Sequence, residues 1–440
     1  MFLLLISVLA IIFLISRWYV SRLYSSWYWC WDNGNEENRM IINTDDVSFP
    51  KGFLWGTASA SYQCEGPGKK TTVESNWSMW EPDGIKRGQR CGLAVDHYHR
   101  YREDIQLMKD LGCNAYRFSL AWDKIEPEPG QYDRDILMHY HEVLNELQHQ
   151  GMTPMITLHH FVHPKWFEET EAFLNPSNIQ VFVRFATDMF IEFQSQCCFW
   201  CTINEPEVYV SGGYFNGIFP PGHKSKPDEA SLVLQHLLQA HVEIYYKIKA
   251  IAKQPEQQSI GIVKDIFQFD PWNPLNPLDI YVSGILDHSM NGCILDFFRT
   301  GQFVWKMPGS KKRNYVDVRA RNSNDFIGLN YYSHFLVRFN PLKPSFFEML
   351  HEEQALMTDM AYPLYPEGLY RACVRLRDEL VNIPIYVTEN GIADRLDDRR
   401  HIFLRRYLYA LSQAINEAGC DVRGYFYWSL TDNFEWAEVR

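Results

Sequence analysis

From Phe49 onward the chain alternates between two hydrophobic rhythms. Eight short apolar runs read as strands: FLWGTASA (53–60), CNAYRFSL (113–120), TPMITLHH (153–160), FWCTINEP (199–206), SIGIVKDI (259–266), DFIGLNYY (325–332), PIYVTENG (384–391) and VRGYFYWSL (422–430). They are apolar on both faces, the pattern of strands buried in a parallel sheet. The stretches between them carry apolar residues at helical spacing. Around 95–111, Val95, Tyr98, Ile105, Met108 and Leu111 fall on one stripe. Around 398–418, Leu404, Leu408, Leu411 and Ile415 do the same. Both predict amphipathic helices packed on a sheet. Eight strands with helical crossovers predict an α/β fold, a (β/α)8 TIM barrel over residues 49–440. An open doubly wound sheet is the alternative. It more often has a Gly-rich turn after its first strand, and none is present.

Only ten residues follow the eighth strand run. The barrel is therefore expected to lack its C-terminal eighth helix, as a truncated product would, and to expose apolar surface on strands one and eight. That predicts low stability or aggregation, with no cooperative thermal transition well above about 50 °C.

The N-terminus has a different pattern. Residues 2–15, FLLLISVLAIIFLI, are apolar apart from Ser7. The run is short for a bilayer, but snorkelling of Arg17 extends it to Val20. No Lys or Arg precedes it, and bulky RWYVSRLYSSWYWCW follows. Residues 1–22 therefore read as an uncleaved membrane anchor, with a cleaved signal segment and secretion as the alternative. Arg17 and Arg22 place the main domain on the cytoplasmic side. Residues 23–48 read as a polar linker.

Composition narrows the function. The net charge is −12, and the chain has no Lys/Arg block, glycine-rich phosphate loop or zinc-ribbon spacing, which argues against nucleic acid as partner. Aromatic residues reach 15%, enough to build a core and also to stack on flat amphipathic ligands such as sugar rings. The ten cysteines, with CCFWC at 197–201, are expected as reduced, buried thiols in a chain of this size. The sequon Asn76-Trp77-Ser78 matters only in a secretory lumen. His97 and His99 of DHYHRY read as a partly buried helix face, and neither they nor His159, His160 and His163 are expected to hold a metal. No cofactor is implied.

Chemistry in such a barrel sits at the C-terminal ends of strands. Those ends carry Gln63, Arg117, His159, His160, Asn204, Glu205, Asn330, Tyr331, Tyr332, Glu389, Asn390 and Trp428, with Glu435 and Trp436 in the last loop. Glu205 on strand four and Glu389 on strand seven face one barrel mouth. Such a pair suits glycoside hydrolysis, in which one carboxyl protonates the leaving oxygen and the other attacks or activates water. The alternative is a barrel with scattered charged loop residues.

The segments FLWGTASASYQCEG, YRFSLAW, TINEP, IGLNYY, YVTENG and WSLTDNFEW resemble the signature segments of glycoside hydrolase family 1, the β-glucosidase family, in order and spacing from about Phe49 to Trp436. The resemblance implies a retaining β-glycosidase working through a covalent glycosyl-enzyme. Glu205 is then the acid/base and Glu389 the nucleophile. Gln63, His160, Asn204, Glu435 and Trp436 match positions that hydrogen-bond the sugar, and Trp428 matches the platform beneath it. Arg117 and Tyr332 match groups that contact the nucleophile, with Asn330 in support. A carboxylate at Glu435 would repel a 6-phosphate. The substrate implied is a small-molecule β-glycoside. A membrane-associated transglycosylase acting on a glycolipid, or an inactive truncated homologue, are the alternatives. The chain departs from the family where AEVR ends it, and in a short 332–362 segment that predicts a more open outer cleft.

Overall fold

The computed structural model describes residues 14–16, 28–29, 31, 47–68, 74–353 and 355–438. The eight predicted strands are all present: β1 (Leu54–Ser59), β2 (Ala115–Ser119), β3 (Thr153–His159), β4 (Phe199–Asn204), β5 (Ser259–Asp265), β6 (Phe326–Asn330), β7 (Ile385–Gly391) and β8 (Val422–Trp428). They pair in sequence order and in parallel, and β8 closes on β1 from Leu54↔Gly424 to Ala58↔Trp428. Closure leaves the main sheet without edges and brings residues hundreds of positions apart to one rim.

Side chains pointing inward fill the barrel. Ala58, Ala115, Met155, Cys201, Val263, Phe326, Tyr386 and Phe426 form one buried cluster. Rings from β6, β7 and β8 face small residues on β1 and β2, so the floor beneath the site is solid. Each such buried ring contributes about 1.5–3 kcal/mol of transfer free energy.

Seven helical crossovers surround the barrel: α1 (His97–Asp110), α2 (Arg134–His149), α3 (Asn178–Phe193), α4 (Pro227–Ile251), α5 (Cys293–Thr300, entered from the helix Pro277–Asp287), α6 (Pro366–Glu379) and α7 (Arg400–Asn416). The start of α2 is fixed by Asp133, whose carboxylate accepts the N–H groups of Asp135 and Ile136. Pro227 opens α4 at a position whose N–H has no intrahelical partner anyway.

Two predicted stripes are displaced. In α1 the buried residues are His97, Tyr98, Tyr101, Asp104, Ile105 and Met108, while Leu111 follows the last turn and is 71% exposed. The polar members of that face are paired: His97 Nδ1 lies 2.6 Å from Asp104. In α7 the buried face is Phe403, Tyr407, Ala410, Leu411 and Ala414; Leu404, Leu408 and Ile415 only flank it. Stacking of Phe403 on Tyr407, with centroids 4.0 Å apart, turns the aromatic side inward.

Among the described residues no helix follows β8. The expected exposure of strands one and eight is not found, because no large apolar side chain of β1 or β8 is exposed. Phe49 and Phe53 pack on Trp55 at 4.7 Å, and Ser48 is tied to Ser412 and Asn416 of α7. The exposed leucines of that region lie on and just past α1, at Leu107 (51%) and Leu111.

Three strands outside the barrel, Gln268–Pro271, His334–Phe339 and Phe347–Leu350, form a small sheet beside the mouth. Two of them lie in the segment read as short. The apolar run 2–15 lies outside the described residues apart from its end. Among the described residues no helix is long and apolar enough to cross a membrane. Within the stretch read as a linker, the Trp29 N–H and the Trp31 indole both donate to Glu367, at 2.7 and 2.9 Å. No disulfide occurs among the described cysteines. Asn76 of the sequon is buried, donating to the Phe161 carbonyl at 2.9 Å.

Gly391 ends β7 against β8, where an added Cβ would lie 1.8 Å from the Trp428 carbonyl oxygen. Gly391→Ala is expected to destabilise the barrel by about 1–3 kcal/mol. Thermal denaturation followed by circular dichroism checks this, and an unchanged midpoint would contradict it.

Candidate active site

Arg117 is the only charged residue in an otherwise apolar β2, AYRFS, and its side chain is 1% exposed. Burying a guanidinium requires partners for its N–H groups. Nη1 donates to Glu389 Oε1 at 2.6 Å and to the Thr388 carbonyl at 3.2 Å. Nη2 donates to Asn204 Oδ1 at 2.6 Å, and Nε to Thr157 Oγ1 at 3.1 Å. One side chain from β2 thus ties together β3, β4 and β7.

The second oxygen of Glu389 accepts the Tyr332 hydroxyl at 2.7 Å. Glu389 therefore has a cation on one oxygen and a phenol on the other. The Tyr332 phenol is itself pushed well up by burial and by the Glu389 charge, so it remains a donor.

Glu205 has a different environment. It is 6% exposed, and one oxygen accepts the Asn330 amide at 2.6 Å. No cation pairs with it among the described residues. Burial, and then the negative charges of Glu389 and Asp265, hold its carboxyl well above the usual range. Of two buried carboxyls on one rim, Glu389 is thus paired with a cation and Glu205 with a neutral amide. Asn204 and Asn330 link them, because Asn330 Nδ2 also reaches Asn204 Oδ1 at 3.3 Å.

The backbone is irregular at both carboxyls. The β4–β5 register shifts between Cys201 and Asn204, and the β6–β7 register shifts between Val387 and Glu389. Such irregularities re-aim side chains at barrel rims. Glu205 itself has φ 43°, in the left-handed region, with its N–H held by the Val263 carbonyl at 2.9 Å. A non-glycine residue there costs about 1–3 kcal/mol and persists only where its surroundings enforce it.

The remaining sequence-predicted residues gather around this pair. His160 Nε2 lies 3.2 Å from the Asn204 amide and 4.0 Å from Glu389. Burial and the Arg117 charge push its imidazole well down, so it is neutral. Its ring stacks with Trp428 and with Trp436, at centroid distances of 5.8 and 6.0 Å. Gln63 donates to the Phe434 carbonyl and to Asn433, at 2.7 and 3.1 Å. Gln63 Oε1 and His160 Nδ1 are buried without a partner. A buried polar atom left without a partner is costly. His159 is not part of this group; it stacks on His163, deeper in the wall.

Strand five contributed no site residue to the sequence reading, yet its end carries Lys264 and Asp265, both buried. Lys264 Nζ pairs with Glu207 at 3.0 Å, and Glu207 also accepts the Asp265 N–H at 2.7 Å. The Lys-Asp pair closing the apolar run SIGIV was the available signal.

Glu435 is half-buried, and burial followed by the Glu389 charge pushes its carboxyl up to about 7. The folded state therefore holds this proton more tightly than the unfolded chain. The resulting contribution to stability is fully present below the ordinary glutamate value of 4.5 and is lost as pH rises through about 7. Glu435→Gln is expected to raise the melting temperature at pH about 8 and to leave it nearly unchanged at pH about 4. Calorimetry at both pH values checks this; a gain at low pH alone would contradict the sign.

The sequence profile of glycosyl hydrolase family 1 matches residues 45–439. Beta-glucosidase A of Thermotoga maritima is 31% identical over 89% of this chain and 90% of its own. Beta-glucosidase 30 of Arabidopsis thaliana is 31% identical over 90% of this chain and 77% of its own. A rice β-glucosidase structure superposes with TM-score 0.81 at 29% identity, covering 88% of this chain and 91% of that one. A β-glycosidase from Pyrococcus horikoshii gives 0.78 at 35% identity, covering 89% and 87%. With its closed parallel barrel and the family match along nearly all of its length, the chain belongs to glycosyl hydrolase family 1.

Proposed function

We propose that this protein is a retaining β-glycosidase that hydrolyses β-glucosides or closely related β-glycosides through a covalent glycosyl-enzyme. The observation that carries the reading is the contrast between the two carboxyls. Glu389 is held by Arg117 and Tyr332, whereas Glu205 is buried beside a neutral amide. The naming of the relatives as β-glucosidases supports the substrate class.

In the first step Glu389 attacks the anomeric carbon from one face as Glu205 gives its proton to the departing glycosidic oxygen. The C–O bond to the leaving group breaks, and an ester to Glu389 forms. Its charge is then spent in the ester, which removes the first-named electrostatic reason for Glu205 to keep a proton. Glu205, now a carboxylate, takes a proton from water. The water oxygen attacks the same carbon from the opposite side to the ester, and Glu389 leaves. Two inversions give net retention, which requires the carboxyls about 5–5.5 Å apart.

The sugar is read by groups already fixed in place. Gln63 Oε1 and His160 Nδ1 offer unpaired acceptor or donor positions, Asn204 adjoins His160, and the Trp428 indole stacks on the His160 ring. A neutral His160 next to Glu389 adds no positive charge to the nucleophile.

Proton NMR of the first product released from an aryl β-glucoside is expected to show the β-anomer. Glu389→Ala should reduce kcat by about 10³-fold or more. An α-anomer as first product, or equal turnover by wild type and Glu389→Ala, would contradict the proposal.

A further inference from the structure

Asn330 meets Glu205 through one end of its side-chain amide, and which end decides what the contact does. The choice is fixed by a directed chain of hydrogen bonds. The chain starts at Arg117, which can only donate; its Nη2 donates to Asn204 Oδ1 at 2.6 Å. Asn204 Oδ1 is therefore an acceptor, and the Asn330 atom 3.3 Å from it is the amide nitrogen. The same nitrogen donates to Glu205 Oε1 at 2.6 Å. The other end of the amide, Oδ1, accepts the Thr388 hydroxyl at 2.7 Å. Two contacts thus select this orientation. The one to Asn204 is longer than the usual N–H···O range, whereas the one from Thr388 is short.

Thr388 reaches Asn330 because β7 bulges. Val387 stands opposite Leu329 and Glu389 opposite Asn330, so Thr388 is an extra residue of β7 set between two consecutive residues of β6. It is fully buried. Gly328 of β6 clears the space for its side chain, since a Cβ there would lie 2.9 Å from Thr388 Oγ1. The Thr388 carbonyl accepts Arg117 Nη1 at 3.2 Å, so the residue is held by its backbone as well. We propose that Thr388 is a positioning residue for the acid: its hydroxyl orients the Asn330 amide, and the amide in turn leaves the transferable proton on Oε2 of Glu205. This inference rests on the assignment of Glu205 as the acid.

The consequence for the proton follows from counting donors. With the amide nitrogen on Oε1, that oxygen is occupied as an acceptor, and a protonated Glu205 carries its hydrogen on Oε2. In the acid step the Oε2–H bond breaks and a bond from that hydrogen to the glycosidic oxygen forms. The amide N–H stays on Oε1 and stabilises the carboxylate left behind. In the base step the same carboxylate takes a proton back from water. With the amide reversed, Asn330 Oδ1 would face Glu205 and accept its proton, holding it away from the leaving group. Removing the Thr388 hydroxyl leaves Asn330 Oδ1 buried without that donor, which penalises the present orientation and favours the reversed one.

The test compares kcat/KM, which reports the first step, for phenyl β-glucoside and 2,4-dinitrophenyl β-glucoside. Phenol needs a proton to leave; dinitrophenolate does not. Thr388→Val is expected to lower kcat/KM for the phenyl glucoside about tenfold more than for the dinitrophenyl glucoside. Thr388→Ser, which restores the hydroxyl, should keep the wild-type ratio. Equal losses on both substrates in Thr388→Val, or a ratio in Thr388→Ser as altered as in Thr388→Val, overturn the proposal. Thr388→Ala takes the place of Thr388→Val in the same comparison if the latter does not fold. Glu205→Gln separates the inference from the reading beneath it. If Glu205→Gln selectively loses the phenyl substrate and Thr388→Val does not, the Thr388 proposal alone fails. If Glu205→Gln lowers both substrates alike, the assignment of the acid fails and the proposal with it. Neutron diffraction from deuterium-exchanged wild-type crystals needs no turnover. The Asn330 amide deuteriums are expected toward Glu205 and Asn204, with the Thr388 deuterium toward Asn330; amide deuteriums facing Thr388 overturn the proposal.

Discussion

Everything at the rim depends on one buried cation. Arg117 lies in the interior of a closed barrel, where a charge without partners is untenable. Its demand for acceptors draws Thr157, Asn204 and Glu389 toward a common centre from three other strands. Glu389 supplies the ion pair, at 2.6 Å. Among the described residues Glu205 has no such partner, and burial, followed by the Glu389 charge, holds its carboxyl well above the usual range.

The arrangement is costly in local terms. Glu205 occupies a strained backbone conformation, both carboxyls sit beside strand irregularities, and several polar atoms of the cleft have no protein partner. The barrel floor offsets these costs. Phe326, Tyr386 and Phe426 fill the interior beneath the rim, and the closed ladder resists relaxation of any one strand. Rigidity below and strain above suit a site whose donors and acceptors must be in place before the sugar arrives.

Much of this was legible in the sequence, for identifiable reasons. The eight barrel strands are buried on both faces, so each reads as an apolar run, and every one was found within a few residues of its bounds. The rim residues were legible because they interrupt those runs: Arg117 in AYRFS, Glu389 in IYVTENG. The helix faces were less so, because Phe403 and Tyr407 rather than the leucines of α7 point inward. The small sheet beside the mouth is built from short, mixed strands with no clear period. Asp265 was missed because a Lys-Asp pair ending a strand looks like surface charge until burial is known. The covering of β1 by Phe49 and Phe53 depends on a chain path that periodicity does not encode.

Under the proposed mechanism Glu389, the partner of Arg117, becomes the covalent carboxyl. The most direct measurement is mass spectrometry after incubation with a 2-deoxy-2-fluoro-β-glucoside bearing a good leaving group, which slows the second step more than the first. One sugar per chain is expected, with the label on the proteolytic peptide that contains Glu389 and none on the peptide that contains Glu205. A label on any other carboxyl, or turnover of the parent glycoside with no covalent label at all, would contradict it.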